Sequence, residues 1–283
     1  MIIDVHSHTI DAARHLTPTF IAEADRARGF PVDLTVTREA YLQAMAPVDR
    51  CIVFGMKARL CGYYASNDDV AAFAAACGGK AIGFLSVDPA DPDWMEDFER
   101  SRTDLGLKGI KLAPMYAGFD PTDRKLDPLY ARAERLGMPV LFHFGTTFCA
   151  AAPLEYARPG LADVIARRFP ELRIVIAHLG HPWEGEALVT ARKHPHVYCD
   201  ISALHYRPWQ FYNSLVLAQE YRVTHKLLFG SDFPFTTPGA SIDAMRAMNE
   251  PLAGTHLPRI AQETVEEIIH RDSLSLLFQG ELP

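Results

Sequence analysis

Eight short runs of β-branched and other apolar residues recur along the chain, separated by longer stretches whose apolar residues fall three and four apart. The runs are "MIIDVHSH", "DRCIVFGM", "AIGFLSVD", "KGIKLAP", "MPVLFHFG", "LRIVIAHLG", "HVYCDIS" and "HKLLFGSD". Each has the length of a strand and is bounded by turn or polar residues. The stretches "SNDDVAAFAAACG", "DPDWMEDFERSRTDL", "DPLYARAERLG", "PGLADVIARRF", "WEGEALVTARKH" and "WQFYNSLVLAQEY" read as amphipathic helices of about three turns. Asn67, Asp91, Asp127 and Pro159 stand where helices are expected to start, and Gly137, just ahead of Pro139, ends one. Eight strands alternating with helices over 283 residues predict an α/β fold, a (β/α)8 TIM barrel, with residues 1–283 forming one domain. A doubly wound open sheet is the alternative, but no strand runs into a Gly-x-Gly phosphate loop. Two connections break the rhythm and are expected to be irregular. Residues 9–36 follow the first strand as a candidate lid, and residues 233–245 follow the eighth.

Composition narrows the partners. The chain is 48% hydrophobic and 22% charged, with a net charge of -7, so it offers no basic footprint for nucleic acid or an anionic membrane. No apolar run approaches the roughly 20 residues of a membrane span. The first strand is expected to begin at Ile2, and on that reading no signal peptide is expected. The five cysteines are odd in number, widely spaced and without a Cys-x-x-Cys pair, as expected of reduced thiols. The expectation is a soluble cytoplasmic protein acting on a small molecule.

The chemistry gathers where strands end. His6 and His8 alternate on strand one and so share a face, with Asp4 predicted on that face and Val5 and Ser7 opposite. Strand five runs into His143, strand six into His178 and strand eight into Asp232. In a barrel these C-terminal ends converge on one mouth. Imidazoles with a carboxylate suit a borderline divalent ion such as zinc, with a position left open for water. Taken singly, each histidine suits a hydrogen-bonded structural role, and Asp232 suits a turn. Spacing alone leaves ligand and helper undivided among the five.

The segments "IDVHSH", "GIKLAP", "LGMPVLFHFGTT", "IVIAHLGHPW", "VYCDISA" and "LLFGSDFP", in this order, resemble the amidohydrolase superfamily. More narrowly, they are similar to the amidohydrolase-related branch that includes aminocarboxymuconate-semialdehyde decarboxylase. The resemblance implies a distorted TIM barrel with one divalent metal, usually zinc and sometimes manganese. It implies His6, His8, His143 and Asp232 as ligands and His178 as a non-ligand histidine that assists catalysis. Lys111, near the end of strand four, has three readings: a partner for a neighbouring carboxylate, a contact for an anionic substrate, or the carboxylated lysine that bridges two metals in binuclear relatives. Arg59, Lys57 and His205 are further candidates for substrate binding. His15 and His181 are candidates for the mouth, and Trp183, Trp209 and Tyr206 for an aromatic wall or ordinary packing.

Two reactions use these parts. In the hydrolase reading, a metal-activated water attacks a small carboxylate-bearing lactone or amide, Asp232 accepts its proton, and His178 donates a hydrogen bond to the oxyanion. In the alternative, a carboxy-lyase, metal and His178 set up protonation of the carbon that loses carbon dioxide. The compact chain and "GIKL" favour hydrolysis. A catalytically dead scaffold would show an eroded ligand set, yet every expected ligand is present. Homodimers are common among relatives.

Overall fold

The computed structural model describes residues 1–278, and the domain expectation for residues 279–283 lies outside them. Among the described residues, eight parallel strands form one sheet, each hydrogen-bonded to the next in chain order: β1 (Ile3–His8), β2 (Arg50–Phe54), β3 (Ala81–Ser86), β4 (Gly109–Leu112), β5 (Val140–Phe142), β6 (Ile174–Ile176), β7 (Val197–Asp200) and β8 (Leu227–Leu228). The sheet closes on itself. Val5 N–H donates to Phe229 O at 3.0 Å, and Asp232 N–H donates to His6 O at 2.8 Å. This is the (β/α)8 TIM barrel that the alternating pattern predicts. No helix among the described residues is long and apolar enough to cross a membrane.

All six predicted helices form, within three residues of the expected limits. Their starts differ in detail. Ser66, not Asn67, caps Asn67–Ala76 by accepting from Asp69 N–H, which frees the Asn67 amide to brace both backbone groups of Ser86. Asp93, not Asp91, precedes Trp94–Thr103. Gly137 does end Asp127–Leu136, at φ 64°.

The two connections expected to be irregular each contain a helix. Residues 9–36 carry the helix Pro18–Arg28, capped by Thr17, opened by Pro18 and closed by left-handed Gly29. After β8, the helix Pro238–Ala247 starts the same way, with Thr237 accepting from Ala240 N–H. Local capping chemistry outweighs the weak apolar periodicity of both stretches.

The barrel interior is apolar at its base. Ile3, Val5, Ile52, Phe54, Ile82 and Phe84 pack together, and Leu274 and Leu277 of the terminal helix Ser273–Phe278 close that end. The opposite end is left for polar side chains. β1 changes parity between the two ends. Asp4 pairs with Cys51 and Ser7 with Val53, so three steps on β1 face two on β2, a bulge. Val5 and His6, within the bulge, and His8 beyond it therefore all meet Phe54's interior cluster. Asp4 does not join His6 and His8, contrary to strict alternation: its Oδ1 accepts from the backbone N–H of His6 and Ser231.

Candidate metal centre

The mouth of the barrel brings five side chains into one cluster. His8 Nε2 lies 3.3 Å and His6 Nε2 3.4 Å from Asp232 Oδ1. The His6 and His178 rings are 4.6 Å apart, and His178 Nε2 lies 3.3 Å from His143 Nδ1. His6, His178 and Asp232 form the tightest set, with donor atoms all within 4.8 Å of one another. Asp232 and His178 sit at positive φ, 70° and 55°, which Asp and His tolerate better than branched residues, and both turn back over the strand ends. Gly230 makes the approach of β8 to β1 possible, since a Cβ there would lie 3.0 Å from His6 Cβ.

Hydrogen-bond partners assign the protons of three rings. His6 Nδ1 donates to Asp200 Oδ2 at 2.8 Å, and His143 Nε2 donates to Thr146 O at 3.1 Å. The Ser202 hydroxyl donates to Asp200 Oδ1 at 2.5 Å, so its oxygen accepts from His178 Nδ1 at 2.8 Å. The remaining nitrogens, His6 Nε2, His143 Nδ1 and His178 Nε2, carry lone pairs and all face the cluster. Two of these lone pairs oppose each other at 3.3 Å with no proton left to share, and His8 Nδ1 is buried without a hydrogen-bond partner among the described residues. Converging lone pairs beside a carboxylate are a donor set for a divalent cation.

Electrostatics agree with that use. Burial, reinforced by Lys111, pushes the His143 imidazole down to about 3. Burial also lowers His6, His8 and His178 well below the usual histidine range. They are neutral at pH 7, the form that ligates. Burial lifts the Asp232 carboxyl to about 8 against the pull of Lys111, and lowers Lys111 to about 7. A bound dication would favour ionised Asp232.

With this geometry in place, comparison with known proteins is decisive at the level of family. The sequence profile of the amidohydrolase family matches residues 3–270. The chain belongs to the amidohydrolase family. Solved structures of similar fold include an uncharacterised TIM-barrel protein of Bordetella bronchiseptica, 24% identical, covering 98% of each chain with a TM-score of 0.76. A probable 2-pyrone-4,6-dicarboxylic acid hydrolase of Acinetobacter baumannii is 15% identical, covers 98% of each chain and has a TM-score of 0.68. A 5-carboxyvanillate decarboxylase of Sphingomonas paucimobilis is 16% identical, again over 98% of each chain, with a TM-score of 0.64. A 104-residue stretch is 33% identical to methylcrotonoyl-CoA carboxylase subunit alpha, mitochondrial, of Oryza sativa subsp. japonica. That match covers 37% of this chain and spans only 14% of the relative's length. Amidohydrolases of this superfamily typically hold a divalent metal.

In this amidohydrolase His8, His143, His178 and Asp232 floor a cleft of about 880 Å³, open to solvent and walled by Phe20, Tyr63, Tyr116, Phe148 and Phe235. The helix Pro18–Arg28 lies along it: Phe20 meets Tyr63 and Phe148 edge-on, and Arg26 donates to Phe148 O at 3.3 Å. The remaining sequence-predicted residues fall elsewhere. Lys111 is fully buried beside the cluster, with Nζ 3.4 Å from His6 Nε2 and 4.3 Å from the Phe54 ring centroid, and does not line the cleft. Arg59 is drawn away by Asp91 at 3.3 Å and by stacking on Tyr64, in a separate polar groove that also holds Lys57. His205 donates from Nε2 to Gly230 O and faces an apolar groove beside Pro208–Glu220. His15 bonds Asp11 N–H, and His181 lies beside Glu184; neither lines the cleft. Of the three aromatic residues, only Tyr206 reaches the wall.

Besides the aromatic wall, two charged cleft residues escaped sequence reasoning. The Arg28 and Arg207 guanidiniums flank the Tyr206 ring at 4.2 and 4.5 Å. Neither forms an ion pair with a carboxylate among the described residues, and both pull the Asp232 carboxyl down, against the burial that raises it. The available signal was their position in the loops after strands one and seven, on the catalytic face.

Proposed function

We propose that this chain is a metal-dependent hydrolase acting on a small carboxylate-bearing lactone or amide. The observation that carries the reading is the set of imidazole lone pairs converging on Asp232 beneath an aromatic cleft with two arginines that have no carboxylate partner among the described residues. His6, His8, His143 and Asp232 would hold one divalent ion, with zinc favoured by the nitrogen-rich set and manganese the alternative. When bound, that ion supplies Lewis acidity, polarising oxygens of substrate and water. Asp232, beside His6 and His8, accepts a proton from water and returns it to the leaving group. Neutral His178 has committed its proton to Ser202, so it presents an acceptor to the cleft rather than the oxyanion donor expected from the resemblance. Arg28 and Arg207 hold the substrate carboxylate, with Tyr206 between them stiffening both. Solved structures of similar fold include hydrolases and decarboxylases alike, so carboxy-lyase chemistry on an aromatic or muconate-type acid is the competing reading.

The test is metal analysis of the purified protein, then a substrate panel with the best-bound ion restored. Lactones and amides are followed by proton release, and aromatic and muconate-type acids by carbon dioxide release. About one equivalent of metal with proton release is expected. Carbon dioxide release would transfer the chain to the carboxy-lyases, and failure to bind any metal would end both readings.

The arginines make a separate prediction. Arg28→Ala and Arg207→Ala are each expected to raise KM for a carboxylate-bearing substrate by about 10- to 100-fold, the value of one charged hydrogen bond, while kcat changes less. Equal KM values for wild type and both variants would remove the arginines from substrate binding.

A further inference from the structure

We propose that Asp200 is a positioning residue that sets the tautomers of His6 and His178 together, and so decides which ring nitrogens present lone pairs to the cluster. Asp200 ends β7 and is fully buried. Its Oδ2 accepts from His6 Nδ1 at 2.8 Å. Its Oδ1 accepts from Ser202 Oγ at 2.5 Å, from Ser202 N–H at 3.1 Å and from His178 N–H at 3.0 Å. One carboxylate thus grips strand ends β1, β6 and β7.

The chemistry of each acceptor leaves little freedom. A carboxylate has no proton to give, so the nitrogen of His6 that meets it must be Nδ1–H. The Ser202 hydroxyl has one hydrogen, and Asp200 takes it at the shorter contact. The hydroxyl oxygen therefore accepts from His178 Nδ1, and the Ser202 carbonyl, which can only accept, lies 3.3 Å from the same nitrogen. His178 is held twice by Asp200, once through its backbone N–H and once through Ser202. The first of these bonds helps sustain its left-handed backbone at φ 55°. Both rings consequently offer Nε2 as a lone pair. A group that fixes the proton on one ring nitrogen also raises the donor strength of the other.

The inference deepens the proposed function only in its metal readout, and its tautomer readout is independent of it. The experiment is nitrogen NMR of histidine-labelled, metal-free protein at neutral pH, joined to chelator competition for zinc. In the wild type, His6 and His178 are expected as Nδ1–H tautomers. In Asp200→Asn the carboxamide N–H₂ can donate to His6 Nδ1, turning that ring to Nε2–H, and zinc affinity is expected to fall about 10- to 100-fold. Ser202→Ala removes the 2.8 Å acceptor and leaves only the Ser202 carbonyl at 3.3 Å, so the Nε2–H share of His178 should rise while His6 stays Nδ1–H, an effect that a loss of general stability would not confine to one ring. A wild-type His6 with its proton on Nε2 would overturn the proposal, as would an Asp200→Asn protein with unchanged tautomers and zinc affinity. If Asp200→Asn does not fold, the wild-type spectrum and Ser202→Ala decide the matter. If zinc never binds, the metal-dependent reading fails while the tautomer result still stands or falls alone.

Discussion

Replacing His6 with alanine is expected to remove metal and turnover together, with activity falling by more than about 100-fold. The estimate follows from position. Loss of a partner behind a ligand costs roughly 10- to 100-fold in affinity or activity, and loss of the ligand itself costs more. His6 stands at the centre of the cluster, with Nε2 3.4 Å from Asp232 and the ring 4.6 Å from His178. Its removal also strips Asp200 of the 2.8 Å bond at Oδ2, leaving that buried oxygen without the imidazole N–H. The measurement is metal content per chain by atomic emission, alongside turnover and far-ultraviolet circular dichroism. A folded His6→Ala protein that still carries a full equivalent of metal would relocate the centre toward His143 and His178. His178→Ala is the complementary variant: if His178 is the helper, it retains metal and loses most turnover, and an empty site would make it a ligand.

How much of this was legible in the sequence differs by element. The barrel strands were readable because each is a short apolar run, and a parallel strand buried on both faces needs no other code. The five mouth residues were readable because each sits directly at the end of such a run. The fate of Asp4 was not, because a bulge depends on how β1 registers against β2, which no single strand encodes. The helix Pro18–Arg28 was signalled by Thr17, Pro18 and Gly29, and was missed because its apolar face is thin: only Phe20 and Ala24 are buried. Arg28 and Arg207 went unnoticed for a related reason. They are 179 positions apart in the chain and meet only because the first and seventh loops converge over one cleft. Arg59 looked better placed by proximity to a strand end, yet Asp91 competes for it. Contacts that depend on loop closure are set by tertiary structure, and charge alone does not identify them.

Truncating Phe54 to alanine is expected to be the most destabilising single change in the barrel interior, costing about 3–5 kcal/mol. Phe54 ends β2 with none of its surface exposed, at the level where the apolar base gives way to the polar mouth. The His6 and His8 rings stand edge-on to it with centroids 4.9 and 4.8 Å away, and Lys111 Nζ lies 4.3 Å over its face. The cavity left by alanine therefore opens beneath three polar groups as well as among apolar ones. The barrel is closed around it by backbone bonds, so the walls cannot collapse to fill it. Two losses should appear together: a lower denaturant midpoint at unchanged slope, and weaker metal retention because the His6 and His8 rings lose their support. Phe54→Leu keeps most of the volume and should cost less than about 1.5 kcal/mol with metal retained. A Phe54→Ala protein within about 1 kcal/mol of wild type would mean that the interior repacks freely. Phe54 would then not be what holds the two histidines of β1 in register with Asp232.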